Sequence, residues 1–279
     1  MSAVPGGVAE AIRNGLIGDR VWFYSNYHCN LACTYCLTGS GPEAAPRILG
    51  PARMRSMASE AAALGFGSVG VTGGEPFLLT GMPELLADLS DVLPVVVLSN
   101  GTLFHGARLR SLEALASQPV TIQISLDHPD PGPNDAMRGP GNFARVVEAV
   151  PRLVELGLRV RIATTGTDLG EEEMGRLCRL HRELGVADED HVVRPIARRG
   201  RAATRGMGID APWEQFEPEL TITADGSFWS PFAPTVTAGR LDTDMLLTRM
   251  TSPLAIAAAA MLRVLEARPP ADPAAERFT

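Results

Sequence analysis

Lysine is missing from this 279-residue chain, whose 25 basic residues are all arginine. A guanidinium stays protonated, so a lysine Schiff base, a lysine general base, lysine-anchored pyridoxal phosphate and the lysine of a phosphate-binding loop are excluded. Cysteine is scarce, with 4 residues, and three of them crowd into "CNLACTYC" (29–36). Such clustering, with no basic stretch and apolar run of an export signal at the N-terminus, argues against a disulfide scaffold and for a reducing cytoplasm. Positive charge is not in excess either: the net charge is −7, so a nucleic-acid backbone is not an expected partner. The one basic run, "RPIARRGRA" (194–202), reads as a local loop or cofactor-side feature rather than a polyanion-binding face. No segment reaches the roughly 18 unbroken apolar residues of a membrane span. "MTSPLAIAAAAMLRVLEA" (250–267) comes nearest, and Ser252, Arg263 and Glu266 mark it as a partly buried helix, so no membrane partner is expected.

What is present alternates short apolar runs with amphipathic stretches, the signature of βα units and a parallel sheet. "VWFYSN" (21–26), "SVGVTGG" (68–74), "PVVVLSNG" (94–101), "VTIQISLD" (120–127), "LRVRIATT" (158–165) and "HVVRPIA" (191–197) read as strands. Helices are expected over 52–65, 82–93, about 106–116, 141–157 with a kink at Pro151, and 170–185. Six strand–helix repeats with right-handed crossovers imply a partial (β/α)6 barrel. The polar and glycine-rich sequences fall after strand C-termini, where parallel α/β folds place their sites. Beyond about residue 205 the pattern changes to a hairpin around Asp225-Gly226, a helix at 253–267 and a Pro/Ala-rich tail. The expected organisation is an N-terminal extension (1–20), a barrel (21–205) and a C-terminal appendage (206–279) on the barrel's open side.

Cys29, Cys33 and Cys36 have the spacing C-x3-C-x2-C. Thiolates suit zinc, copper(I) or iron–sulfur clusters. Structural zinc wants four ligands, commonly as two pairs; here there is no second pair, His28 is adjacent to Cys29, and Cys178 lies far along the chain in an expected helix. A four-iron cluster held by three cysteines leaves one iron with an open position, a mark of catalysis rather than scaffolding.

"CNLACTYC" resembles the C-x3-C-x-Φ-C signature of the radical S-adenosylmethionine (radical SAM) enzymes, with Tyr35 as the aromatic Φ. "TGGEP" (72–76), "SNG" (99–101), "ISLD" (124–127) and "RGPGNF" (138–143) follow in that family's order, so the resemblance covers roughly residues 20 to 205. It implies a partial TIM-like barrel of the radical SAM type with a short hairpin-plus-helix appendage. It implies that Cys29, Cys33 and Cys36 hold one [4Fe–4S] cluster whose fourth iron is chelated by SAM. Reductive cleavage of SAM then yields a 5′-deoxyadenosyl radical that takes a hydrogen atom from substrate, with electrons from an external donor such as flavodoxin or ferredoxin. Carried over residue by residue, Gly73, Gly74, Glu75 and Pro76 match the motif that receives the SAM amino group. The two glycines are expected to let backbone carbonyls approach the ligand. Tyr35 falls beside the adenine; Asn100, Ser125 and Asp127 fall near the ribose or methionine part; Arg138 falls where a basic residue meets the SAM carboxylate. Thr164 and Thr165 end the fifth strand. Turn capping and packing remain open as alternative roles for each of these residues.

The stretch 221–240 resembles the start of a SPASM or twitch domain, but Ser-Pro-Phe stands where relatives have cysteines. With only Cys178 left over, no auxiliary cluster is expected. The 28 residues before Cys29 leave no room for a cobalamin or peptide-recognition domain. These considerations favour hydrogen abstraction from a small molecule, such as a sugar, nucleoside or aminoglycoside-like intermediate, for epimerisation, elimination, decarboxylation or dehydrogenation. The alternatives are a maturase of a ribosomally made peptide and a non-catalytic cluster-binding regulator. Cys178, between Leu177 and Leu180 on its helix, reads as a packed thiol rather than a hydrogen-atom donor. "RRGRAATRGMG" and "FWSPF" are candidate lid elements.

Overall fold

The computed structural model describes residues 4–166, 169–237 and 239–267; the Pro/Ala-rich tail lies outside them. Six parallel strands pair in chain order: β1 (Arg20–Tyr24), β2 (Ser68–Thr72), β3 (Val95–Ser99), β4 (Val120–Ser125), β5 (Arg159–Thr165) and β6 (His191–Arg194). Each strand alternates faces, as a two-residue period dictates. Val21, Phe23, Val69, Val71, Val95, Val97, Ile122, Ile124, Val160 and Ile162 belong to the buried core. The intervening positions, Arg20, Trp22 and Tyr24 on β1 among them, face the other side and make the barrel interior.

The helices cover the apolar face. They are α1 (Val4–Arg13), α2 (Pro51–Leu64), α3 (Met82–Ser90), the short α4 (Gly106–Arg110), α5 (Pro131–Arg138), α6 (Asn142–Glu155), α7 (Glu171–Glu183), the short α8 (Gly200–Thr204) and α9 (Leu254–Ala267). Met54, Met57, Ala58 and Ala61 of α2, Leu85, Leu86 and Leu89 of α3, and Val146, Val150 and Leu153 of α6 join the strand residues in one core. α6 runs through Pro151 without a break in its assignment. α5 is not among the expected helices; its Pro131 and Pro133 fall in the first turn, where the missing N–H has no helical partner to lose.

The C-terminal segment is built into the sheet. β7 (Thr221–Ile222) pairs in parallel with β1, β8 (Ser227–Phe228) turns back on β7, and β11 (Leu246–Thr248) adds beyond β8. β9 (Val236–Thr237) and β10 (Arg240–Leu241) form a separate two-stranded ribbon. The nine-stranded order is therefore β11-β8-β7-β1-β2-β3-β4-β5-β6. α9 is tied back across the molecule: its Leu254 N–H donates to the Glu60 carboxylate of α2 at 2.6 Å. A carboxylate there satisfies an otherwise orphaned donor and complements the helix dipole. Among the described residues no helix is long and apolar enough to cross a membrane.

Candidate active site

A cavity of about 360 Å³ occupies the barrel interior. Cys29, Cys33 and Cys36 line it, in the loop that leaves β1, together with Gly73 and Gly74 after β2, Asn100 after β3, Ser125 at the end of β4, and Arg138 at the end of α5. Residues far apart in sequence thus meet at one sheet edge, because parallel strands present all their C-termini on the same side. All four cysteines are free thiols, and Cys178 is not on this wall; its sulfur lies 3.7 Å from His191 Nδ1.

The cysteine loop is held from three directions. Gly74 N–H and Glu75 N–H donate to the carbonyls of Asn26 and His28, both at 2.9 Å. A Cβ at Gly73 would stand 2.4 Å from the Asn26 carbonyl oxygen, and one at Gly74 2.1 Å from that of His28. The glycines line the cavity, but what forbids a side chain is the loop backbone pressed against them, not space kept for a ligand. On the opposite side Arg201 of α8 donates from Nη1 to Cys33 O at 2.7 Å and from Nη2 to Gly39 O at 3.1 Å and Ser40 O at 2.7 Å. Its backbone N–H reaches Cys36 O at 2.9 Å. Gly200 makes this approach possible: a Cβ there would meet Leu37 O at 1.9 Å. Asn100 is the third hold, donating from Nδ2 to Asn30 Oδ1 at 2.9 Å and to Cys29 Sγ at 3.7 Å.

Three expected cofactor residues do not face the cavity. Glu75 is fully buried and spends both carboxylate oxygens on the protein: Phe77 N–H at 3.1 Å and Ser99 Oγ at 3.0 Å on Oε1, Asn100 N–H at 2.8 Å on Oε2. It fastens the exit of β2 to that of β3. Burial pushes its carboxyl up to about 6 against the pull of those donors. Pro76 is buried at the start of the 3-10 turn that follows. Asp127 is 3% exposed and lies behind the wall. It accepts Tyr35 OH at 2.5 Å and Arg138 Nη1 at 3.1 Å on Oδ2, and Thr165 N–H at 2.8 Å on Oδ1. Arg138 Nη1 also donates to Tyr35 OH. The triad Tyr35–Asp127–Arg138 thereby joins the cysteine loop to the ends of β4 and α5, with Tyr35 and Arg138 on the cavity wall. Thr164 is fully buried, its hydroxyl donating to Leu126 O at 2.8 Å, whereas Thr165 lines the cavity.

The donor set fits an iron–sulfur cluster. Thiolates are its characteristic ligands, and three thiols line this one cavity. Burial raises the thiols of Cys29, to about 12, and Cys33, the latter opposed by Arg138. Cluster binding must therefore expel protons from them. Leu31 N–H already points at Cys29 Sγ, at 3.4 Å, the kind of donor that stabilises a bound thiolate. The wall also carries an anchor for an anionic group: Arg138 Nε is buried and has no hydrogen-bond partner.

The remaining wall is singled out by the sequence only in part, through "RPIARRGRA" and "FWSPF". Arg20, Trp22, Tyr24, Arg194, Pro195, Ile196, Glu217, Glu219, Ser230, Pro231 and Phe232 line it. The first three follow from strand alternation on β1; the last five come from the C-terminal segment, drawn in by the pairing of β7 with β1. The "SPF" of the candidate lid is here, pinned where Tyr24 OH donates to Pro231 O at 2.5 Å. The "RRGRA" stretch instead braces the outside of the cysteine loop through Arg201.

The Radical SAM superfamily model matches residues 24–181, and the chain belongs to that superfamily. It is accordingly a radical SAM enzyme that works with a [4Fe–4S] cluster and SAM. Among similar proteins, the antilisterial bacteriocin subtilosin biosynthesis protein AlbA of Bacillus subtilis is 32% identical over 171 residues, 59% of this chain and 37% of AlbA. The mycofactocin maturase MftC of Mycolicibacterium smegmatis is 30% identical over 196 residues, 69% of this chain and 46% of MftC. The GTP 3',8-cyclase of Aquifex aeolicus is 27% identical over 164 residues, 57% of this chain and 51% of the cyclase. The chain thus spans about a third to a half of the length of these relatives. The solved structure of native anSMEcpe with bound AdoMet shares the fold, with a TM-score of 0.60 at 15% identity, over 85% of this chain and 79% of that one.

Proposed function

We propose that the enzyme acts on a peptide, as a maturase that abstracts a hydrogen atom from one residue of its substrate. The names of AlbA and MftC support a maturase better than the small-molecule substrate that the sequence suggests. The observation that carries the site assignment is that three thiols and a buried, unpartnered guanidinium nitrogen share the wall of one cavity. In this reading Cys29, Cys33 and Cys36 ligate the cluster. Arg138 meets the SAM carboxylate through its unpartnered edge, and Gly73, Gly74, Asn100, Ser125 and Tyr35 flank the nucleoside. Glu75 and Asp127 act one layer back, by holding Asn100 and Arg138 in place. When bound, the cluster and SAM supply one-electron cleavage of SAM and hydrogen-atom abstraction. The chain orients the substrate and excludes water, with Tyr24, Pro231 and Phe232 forming part of the cavity wall. A flavodoxin or ferredoxin would deliver the electron from outside.

The test is anaerobic reconstitution, followed by dithionite, SAM and pools of deuterated peptides made from the reading frames that flank the gene. Deuterium is expected in the 5′-deoxyadenosine. Label arriving only from small metabolites, GTP included, would return the reading to a small-molecule enzyme.

A further inference from the structure

One side of the cavity carries charge that the cofactor assignment does not use. Arg20 opens β1 and lies roughly 13 Å down that strand from Tyr24, at about 3.3 Å per residue. Arg194 closes β6, and both line the cavity. The Nε atoms of both are buried without a hydrogen-bond partner. Arg161 stands behind them and has an acid of its own, Asp190 at 3.7 Å. No ion pair ties up Arg20 or Arg194 among the described residues. Arg20 lies over the Trp22 ring at 5.4 Å from its centroid, which holds the guanidinium against an apolar plane. Burial pulls Arg194 below its ordinary value; Glu219 on the same wall opposes that pull, and the charges of Arg161 and Arg20 add to it. Glu219 offsets part of this charge, yet each guanidinium keeps a buried Nε without an acceptor, which is costly unless an anion completes it.

We propose that Arg20 and Arg194 form a subsite for a carboxylate of the substrate, set between Trp22 and the C-terminal segment. Two acids on the same wall, Glu217 and Glu219, offset part of that positive charge. The subsite therefore suits a monoanion and disfavours a phosphate dianion. This rests on the reading of the cavity as a peptide-substrate chamber: in a peptide the carboxylate is either the C-terminus or an Asp or Glu side chain.

The test uses the full chain with its cluster reconstituted and SAM bound, titrated by calorimetry with four probes. These are N-acetyl-L-tyrosine, N-acetyl-L-tyrosinamide, N-acetyl-L-aspartic acid α-amide and inorganic phosphate. At least one carboxylate is expected to bind about tenfold or more tightly than the amide. Arg20→Gln and Arg194→Gln should each remove most of that advantage without moving amide affinity. Arg194→Lys should keep part of it, which separates lost charge from lost folding, as does an unchanged melting curve. Preference for the tyrosine acid assigns a C-terminal carboxylate, and preference for the aspartyl probe a side-chain one. Equal binding of acid and amide, tighter binding of phosphate, no carboxylate binding, or indifference to both substitutions would overturn the subsite. Failure of the maturase reading shows separately: these titrations need no peptide turnover, and deuterium transfer does not depend on which probe binds.

Discussion

Arg201 and Glu75 do their work by holding other groups. Arg201 braces the cysteine loop through its backbone N–H and three side-chain bonds to Cys33, Gly39 and Ser40 carbonyls. Arg201→Met strands those carbonyls and should cost about 1–3 kcal/mol. Chelator challenge of the loaded protein should then strip iron faster, with the same cysteines present. Glu75→Gln sets an amide N–H2 against Asn100 N–H and should cost a similar amount in thermal unfolding of the cluster-free chain. The wild-type carboxyl also has a pH signature. Its value is raised to about 6 from an unfolded one near 4.5, so its contribution is fully present below about 4.5 and fades as pH rises through about 6. The loss is about 2 kcal/mol at 1.36 kcal/mol per pH unit, and Glu75→Gln should remove that slope. At this scale the thiols were legible, since three soft ligands in one turn-rich loop have few other uses. Arg201 was not, because Arg198, Arg199, Arg201 and Arg205 look alike until α8 is placed. Glu75 and Asp127 stand out in the sequence by motif, but that their side chains turn away from the cavity depends on strand exits that only the packed sheet defines.

Among the elements, α7 and β6 share a contact the chemistry does not use. His181 is 1% exposed, neither ring nitrogen has a partner, and its ring packs edge-on to His191 at 4.4 Å. Burial, aided by His191, pulls its value down to about 3. A depressed histidine stabilises above its unfolded value near 6.5, and that stability drains as pH falls toward 3, by as much as about 5 kcal/mol. His181→Leu should flatten the acid limb of the stability profile; an unchanged limb would put the loss elsewhere. The β2 exit offers a purely steric test. Gly74→Ala brings a Cβ onto the His28 carbonyl and should destabilise by about 1–3 kcal/mol or more, lowering the melting temperature of the cluster-free chain. The βα alternation made six strands readable from periodicity. α1 and α5 were not readable: one reads only as a chain start without an export signal, the other is rich in turn-forming proline.

For the molecule as a whole, the barrel's open edge is closed by its own C-terminal segment. A hairpin is visible in the sequence as an Asp-Gly turn between apolar runs, but its parallel pairing with β1 is not, since strand partners are set by packing between distant segments. That pairing is what puts Glu217, Glu219, Ser230, Pro231 and Phe232 on the cavity wall. Substrate selectivity is therefore expected to follow this wall. Phe232→Ala should weaken substrate binding while leaving iron content and SAM affinity within error.

The most direct measurement is iron and acid-labile sulfide per chain, with 5′-deoxyadenosine release, in anaerobically reconstituted wild type and in four single Cys→Ala variants. Alanine at Cys29, Cys33 or Cys36 should abolish both the cluster and SAM cleavage, while Cys178→Ala retains both. A cluster that also needs Cys178, or survives loss of any one of the other three with cleavage intact, would contradict a three-thiolate site.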